Sequence, residues 1–444
     1  MRRLGCAESR ATMSAALALT MPPFATTLAP LRFFGRHHAN SSLAQFDWVG
    51  SGFTVKLSGT GAVRADMDGG DTKFAILLDG EQPSIAYLTT RDREGRRLVD
   101  LANATGGVST LTLLKATEPF GDQESSNISS DRPVSVFGLD VDPGVTLAPA
   151  NDAQARRVDF YGDSDSAAFG VDGSASEPAM CAAAAALGFG FENFEHGWIR
   201  GVTRALGCDS RVQAVSGIGV VRDAGGTGVT MPALVRRTLQ TVAVDDYAPR
   251  EWRPAAVVLY IGSNDYAMQH EPLSEDAFVT AYAALVESIL RLYEPPPSRP
   301  GSRPSVPPPP PIPVLHVCGG EPRPCLYISR YVARSGNATT RPMSYTTTGD
   351  TGVRKGGCVG HRNATQQARL ARFLAPKIAL VAGWGDGEDA VRNLALQYSE
   401  LSVARAMHPE AEPRRKVVVR RQESAQSQTL DAETRAGDDY TDLI

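Results

Sequence analysis

Six cysteines in 444 residues (Cys6, Cys181, Cys208, Cys318, Cys325 and Cys358) are too few to staple a chain of this length into a disulfide framework. No Cys-x-x-Cys pair is present, so a structural zinc site is not expected and no metal is assigned. No apolar run of about 18 residues follows the N-terminal segment, which excludes a later membrane-spanning helix as an expectation. A basic excess is also missing: 45 Lys and Arg against 49 Asp and Glu leave a net charge of −4. At whole-chain level no basic face for nucleic acid is visible. What is there suits a folded chain. Hydrophobic residues are 42 % and charged residues 21 %, enough apolar mass for a large core and too much for a wholly disordered protein. The length suits two or three domains.

The texture changes along the chain. Arg2, Arg3 and Arg10 precede a small-apolar stretch from Thr12 to Leu31, so residues 1–32 read as a signal peptide or disordered leader. Secretion is the expectation, and the sequons at Asn40, Asn103, Asn127, Asn337 and Asn363 matter only in that case. From residue 33 to 148 short alternating runs are broken by glycine and aspartate: Phe53–Leu57, Ala62–Met67, Lys73–Leu78, Ile85–Thr89, Val108–Lys115 and Val134–Val141. Period-two alternation predicts a half-buried antiparallel sandwich. Residues 148–154 read as a linker.

From 155 to 385 continuous apolar runs alternate with helix-like segments. The runs are Arg156–Tyr161, Val212–Ser216, Ala255–Ile261 and Ile312–Val317. The helices are expected at Cys181–Leu187, His196–Leu206, Met231–Val242, Ser274–Tyr293 and Ala364–Val381. Buried strands alternating with helices imply a parallel sheet covered on both faces. A proline-rich insert, 295–313, reads as an exposed spacer, and the polar tail 386–444 as disordered.

Four strand or helix ends carry chemistry. Val158-Asp-Phe-Tyr-Gly-Asp-Ser164 runs an apolar strand into a sharp turn, where a serine can present its hydroxyl and its backbone N–H. Ser216-Gly-Ile-Gly219 follows another strand, and Gly217 can bring an N–H close to a bound carbonyl. Leu259-Tyr-Ile-Gly-Ser-Asn-Asp265 ends a third strand with Asn264, a neutral amide donor. Gly357-Cys-Val-Gly-His-Arg-Asn363 places His361 just before the last helix, where it can serve as general base. Each motif alone also fits an ordinary turn. Their order along the chain is far more specific.

Together these four segments resemble the SGNH (GDSL-type) hydrolases, whose blocks contribute Ser, Gly, Asn and His in that order. The resemblance narrows to carbohydrate esterase family 2 on Gly35-Arg-His37, Phe46-Asp-Trp-Val-Gly-Ser51, Leu78-Asp-Gly-Glu81, Leu114-Lys-Ala-Thr-Glu118, Met231-Pro232, Leu374-Ala-Pro-Lys-Ile378 and Gly383-Trp384. It implies an all-β jelly-roll sandwich followed by a flavodoxin-like three-layer α/β/α SGNH domain. It also implies a serine esterase that removes acetyl groups from polysaccharides, with Ser164 and His361 catalytic. The oxyanion hole would be the Ser164 and Gly217 N–H groups and the Asn264 amide, and no cofactor is called for.

Two departures stand out. Cys358 occupies the position three before the histidine where SGNH members commonly carry Asp; family members that manage with a Ser–His dyad orient the histidine through backbone carbonyls. Asp165 follows the nucleophile, and either perturbs the site or points away. A bridge from Cys325 to Cys358 or Cys318 is expected in an oxidising compartment. The competing readings are a non-catalytic carbohydrate-binding protein and an esterase of lipid or small-molecule esters. The expected partner is an acetylated polysaccharide or oligosaccharide, the expected state a monomer.

Overall fold

The computed structural model describes residues 28–385 except 70–71, 80–84, 91–94, 120–132, 151–154, 182–190, 227, 250, 267–270, 272, 295–308, 338–341 and 349–355, with backbone alone for 85–90. The leader up to residue 27, most of the expected linker, most of the proline-rich insert and the tail lie outside the described residues. So does all but the first residue of the helix expected at Cys181–Leu187.

The first nine strands form one antiparallel sheet: β1 Arg32–Phe34, β2 His38–Ala39, β3 Ala44–Phe46, β4 Gly52–Asp68, β5 Thr72–Leu78, β6 Ile85–Thr90, β7 Arg97–Lys115, β8 Val134–Val141 and β9 Val145–Ala148. Its order is β2-β3-β8-β4-β7-β5-β6, with β1 and β9 also paired to β4. Two runs expected as separate strands are halves of β4. Register shifts at Ser58/Thr60 and Val63/Arg64 interrupt its ladder with β7, and such irregularities bend and twist a strand without ending it. Alternate residues on one face (Phe53, Val55, Leu57, Val63, Ala65 and Met67 of β4, with partners such as Phe74, Leu111 and Val136) form one buried cluster.

The second sheet has five parallel strands: β10 Arg157–Gly162, β11 Asp209–Ala214, β12 Ala256–Tyr260, β13 Val314–Cys318 and β14 Met343–Thr347. The spatial order β11-β10-β12-β13-β14 is the flavodoxin-like arrangement, with its switch point between β10 and β12. Among the helices that accompany it are α1 Ser164–Ala167, α2 Trp198–Leu206, α3 Met231–Leu234, α4 Glu275–Arg291, α5 Pro322–Ser335 and α6 Ala364–Val381.

Strand alternation divides the side chains between two faces. Val158, Phe160, Val258, Tyr260, Leu315 and Val317 pack with α2 and α6. Val257, Leu259, Ile261, Val314 and Cys318 pack with α4 and α5. Helices thus cover both faces, as a parallel sheet requires. The helices have local causes. Ser274 caps α4 by accepting the Ala277 N–H, and Phe278, Tyr282, Leu285, Val286 and Ile289 bury one stripe. Asn363 and Gln366 make a reciprocal capping box at the start of α6.

Three expectations change. The helix expected over Met231–Val242 stops at Leu234. Beyond it the Asp47 carboxylate takes the Gln240 and Thr241 N–H groups, while Arg36 donates to the carbonyls of Val235 and Arg237. Tertiary partners thus replace the helix's own ladder. Helix α5 and strand β14 were not expected: α5 opens Glu321-Pro-Arg-Pro, and β14 (Met-Ser-Tyr-Thr-Thr) is a half-exposed edge without a long apolar run.

The two sheets share their cores. Val49, Ala75, Leu77, Leu114 and Ala116 of the antiparallel sheet and its flanks join the α2/α6 cluster, and Trp48 joins the α4/α5 cluster. Buried polar groups cross the same seam. Glu118 and Glu192 lie side by side, the Glu118 N–H donating to Glu192 Oε1 at 2.8 Å. Burial pushes the Glu118 carboxyl up to about 7, with the Ser216 N–H and Lys115 opposing. Burial and the neighbouring Glu118 push Glu192 well above the usual range, against Lys115 and Lys73. The folded chain therefore retains protons that the unfolded chain releases near the ordinary carboxylate pKa of about 4.3. The stability from these raised carboxyls is complete below that pH and is lost as pH rises through about 7. Melting temperature is expected to fall by on the order of several degrees between those limits, and Glu192→Gln to flatten the slope. An unchanged slope in that variant would remove the pair as its cause.

Candidate active site

The four residues singled out in the sequence sit at loops following β10, β11 and β12 and at the turn before α6, around the carboxyl edge of the parallel sheet. In an open α/β sheet this is where ligands bind. Ser164 opens α1, one residue after Asp163, whose side chain caps the turn by accepting the Asp165 N–H. The Gly-Asp-Ser glycine has a packing cause: a Cβ on Gly162 would stand 2.1 Å from Ser166 Oγ. Only glycine lets the strand run this close under the first turn.

His361 approaches from the other end of the chain. Its Nε2 lies 2.7 Å from Ser164 Oγ, and its Nδ1 lies 3.3 Å from the Cys358 carbonyl oxygen. The carbonyl can only accept, so Nδ1 carries the proton and Nε2 is left to accept from the serine hydroxyl. A backbone carbonyl thus stands where SGNH members commonly use an aspartate. The Phe169 ring packs edge-on against the imidazole at 5.0 Å between centroids.

Cys358 is bonded to Cys181, with Cα atoms 5.2 Å apart, and its N–H donates to the Gly170 carbonyl at 3.0 Å. The carbonyl that holds His361 therefore sits on a residue pinned from two directions. Of the expected bridges, Cys325 pairs with Cys318 and not with Cys358. Cys208 is a buried free thiol whose burial, first of all, raises its pKa to about 12.

Gly217 and Asn264 lie in tied loops. Gly217 has φ +77°, a left-handed conformation that glycine adopts at little cost, and a Cβ there would meet only Ala224 at 3.9 Å. The glycine serves conformation and not clearance. Asn264 donates its amide to the Ile218 carbonyl at 2.8 Å, joining the loop after β12 to that after β11. Asp265 accepts from the N–H groups of Val220, Val221 and Arg222. It thereby braces the loop after β11.

Asp165 points away from the Ser164–His361 contact. Its carboxylate accepts from Arg362 Nη1 at 2.5 Å and from the Tyr260 hydroxyl at 3.3 Å, in surroundings that leave both charged side chains 1 % exposed. Each partner is the next residue after a member of the Ser164–His361 pair, so one ion pair ties the two loops together. Arg362 could be found from sequence only by knowing that Asp165 turns inward. Among the described residues, no group of three or more His, Cys, Asp and Glu side chains is placed to hold a metal ion.

No family model matches the chain. Over 251 residues it is 26 % identical to the cellulase/esterase CelE of Acetivibrio thermocellus, covering 55 % of this chain and 27 % of that protein. It thus spans about a quarter of the curated relative's length. A family two carbohydrate esterase from Clostridium thermocellum, solved with cellohexaose, superposes with a TM-score of 0.62 at 22 % identity, over 80 % of this chain and 99 % of that one. The chain resembles the family two carbohydrate esterases in fold. A family 2 esterase with a carbohydrate-binding domain from Corynascus thermopiles (Myceliophthora fergusii) gives 0.62 at 22 % identity, over 80 % and 100 % of the two chains. The acetyl xylan esterase Est2A of Butyrivibrio proteoclasticus gives 0.60 at 14 % identity, over 81 % and 97 %.

The Asp165–Arg362 pair can be tested by itself. Arg362→Met leaves a buried carboxylate without its counter-charge and is expected to lower unfolding free energy by about 3–5 kcal/mol in denaturant titration. The double variant Asp165→Asn/Arg362→Met should recover most of that loss. A single-variant loss under about 1 kcal/mol would mean that the pair does not hold the loops.

Proposed function

We propose that this chain is a serine esterase that removes acetyl groups from polysaccharides through a Ser164–His361 acyl-enzyme mechanism. The observation that carries the reading is the 2.7 Å contact between Ser164 Oγ and His361 Nε2, with Nδ1 turned to the Cys358 carbonyl. The likeness to family two carbohydrate esterases supports the substrate class. In this reading His361 takes the Ser164 proton as Oγ attacks the acetyl carbonyl. The tetrahedral oxyanion is held by the Ser164 and Gly217 N–H groups and by the Asn264 amide. As the ester C–O bond breaks, His361 protonates the departing sugar oxygen, which leaves as a hydroxyl, and water repeats the cycle to release acetate.

The antiparallel sheet is read here as the family's jelly roll, preceding an SGNH domain, and the chain as a secreted monomer. Two disulfides support an oxidising compartment. Asn40, Asn103 and Asn337 are exposed, as glycan acceptors must be. No helix among the described residues is long and apolar enough to cross a membrane.

Hydrolysis of p-nitrophenyl acetate, acetylated xylan and acetylated mannan, beside a long-chain ester, tests the reading. Acetate release from the polysaccharides is expected. Sugar binding without release would favour the binding-protein reading, and preference for the long-chain ester a lipid substrate. Ser164→Ala and His361→Ala should each abolish most turnover, and the double variant should be little worse because the two act as one unit. Asn264→Ala should cost on the order of 10²–10³ in kcat with KM largely kept. Full activity in Ser164→Ala would end the assignment.

A further inference from the structure

The run Leu114-Lys-Ala-Thr-Glu118 has no part in the chemistry above, yet every residue in it is buried. It leaves the end of β7 and crosses from the antiparallel sheet towards the parallel one. Lys115 turns back to donate to the Thr117 carbonyl, Ala116 accepts from the Phe194 N–H, and Thr117 Oγ accepts from the Lys73 N–H. These contacts fix where Glu118 stands. Its Oε2 then accepts the Ser216 N–H at 2.7 Å.

Ser216 immediately precedes Gly217. Besides the Ala224 N–H that donates to the Gly217 carbonyl and the Asp265 bonds described above, three ties hold the loop they share. The Val215 N–H donates to the carbonyl of Gly162, on the nucleophile strand; Ser216 is held by Glu118; and Ile218 accepts from Asn264. Two of these ties come from the segments that supply Ser164 and Asn264. The third comes from the other sheet.

We infer that Glu118 is a positioning residue of the esterase site, through which the antiparallel sheet holds the Ser216–Gly217 peptide where its N–H meets the oxyanion. This rests on the esterase reading. A carboxyl suits the task because it offers the N–H an acceptor oxygen whether or not it carries a proton, and its ionised form, gained as pH rises through about 7, makes the shorter and stronger bond. Glu192 braces the same place, accepting the Glu118 N–H at 2.8 Å, so that Glu118 is held by its backbone while it holds Ser216 by its side chain. The effect should appear in kcat and not KM, since the Gly217 N–H matters most when charge develops on oxygen.

The test uses the full chain and two variants. Glu118→Met keeps length and apolar bulk, removes the acceptor and leaves no buried charge at that position. Glu118→Gln keeps an acceptor oxygen. With p-nitrophenyl acetate, and kcat counted per serine titrated in the burst, Glu118→Met is expected to lose on the order of 10- to 100-fold in kcat with KM within about twofold. Glu118→Gln should regain most of it. Amide exchange over residues 215–219 should quicken in Glu118→Met and not in Glu118→Gln. A kcat within about twofold of the parent in Glu118→Met, or a Gln variant as poor as the Met variant, would overturn the inference. Should Glu118→Met fail to fold, exchange in the parent chain decides: a Ser216 amide as protected as β11 supports it, and one exchanging at the solvent rate overturns it. If the parent chain shows neither burst nor turnover, the esterase reading fails, and the exchange comparison still decides whether Glu118 holds the loop.

Discussion

The hydrogen bond between Ser164 and His361 joins residues 197 positions apart, and the rest of the site exists to keep that contact short. A long-range contact of this kind gains nothing from local sequence; it holds only if both loops are fixed independently. Ser164 is fixed by the end of β10 and the Asp163 cap. His361 is fixed by the carbonyl of Cys358, itself bonded to Cys181 and to Gly170. The Asp165–Arg362 pair then connects the two loops directly. An aspartate could orient the imidazole and add charge to stabilise its protonated form. A carbonyl supplies orientation with only a partial charge, so more of the task falls on rigidity.

The residues of the pair are legible in the sequence for a physical reason. Strands covered on both faces must be continuously apolar, so Val158–Tyr161 and Ala256–Tyr260 stand out and their carboxyl ends can be located. The helix before which His361 sits is equally plain, because its apolar stripe and its Asn363 cap are local features. Legibility fails where tertiary partners decide. Residues 235–242 have helical texture, but Asp47, Trp48 and Arg36 occupy their backbone groups from another sheet. Strand β14 has little burial of its own to advertise, since it lies at the sheet edge. The Cys181–Cys358 bridge spans 177 residues, and nothing in the spacing points to it.

Asp165 illustrates the difference between identity and direction. A carboxylate next to a nucleophile would disfavour its ionisation and oppose negative charge in the transition state. Here the side chain leaves the site and is neutralised by Arg362. Such a pair costs desolvation on both sides, and an apolar pair of equal volume would often serve stability as well. Its use is geometric: an ion pair with a hydroxyl from Tyr260 alongside accepts few arrangements.

The same reasoning applies to the seam between the sheets. Apolar contacts such as Trp48 against the α4/α5 cluster bring the sheets together but tolerate small slides. Asp47, Arg36 and Glu118 do not. Each is buried, and each bonds to a named backbone group across the seam: the Gln240 and Thr241 N–H groups, the Val235 and Arg237 carbonyls, and the Ser216 N–H. Backbone groups cannot change rotamer, so these bonds set position to a fraction of an ångström, where a misplacement of about 1 Å can cost 10²-fold in rate. Leaving any of them unmade would strand a polar or charged group without a partner in the interior. A seam built this way makes the antiparallel sheet part of the frame of the candidate site, because the loop that carries Gly217 is anchored on both sides of it.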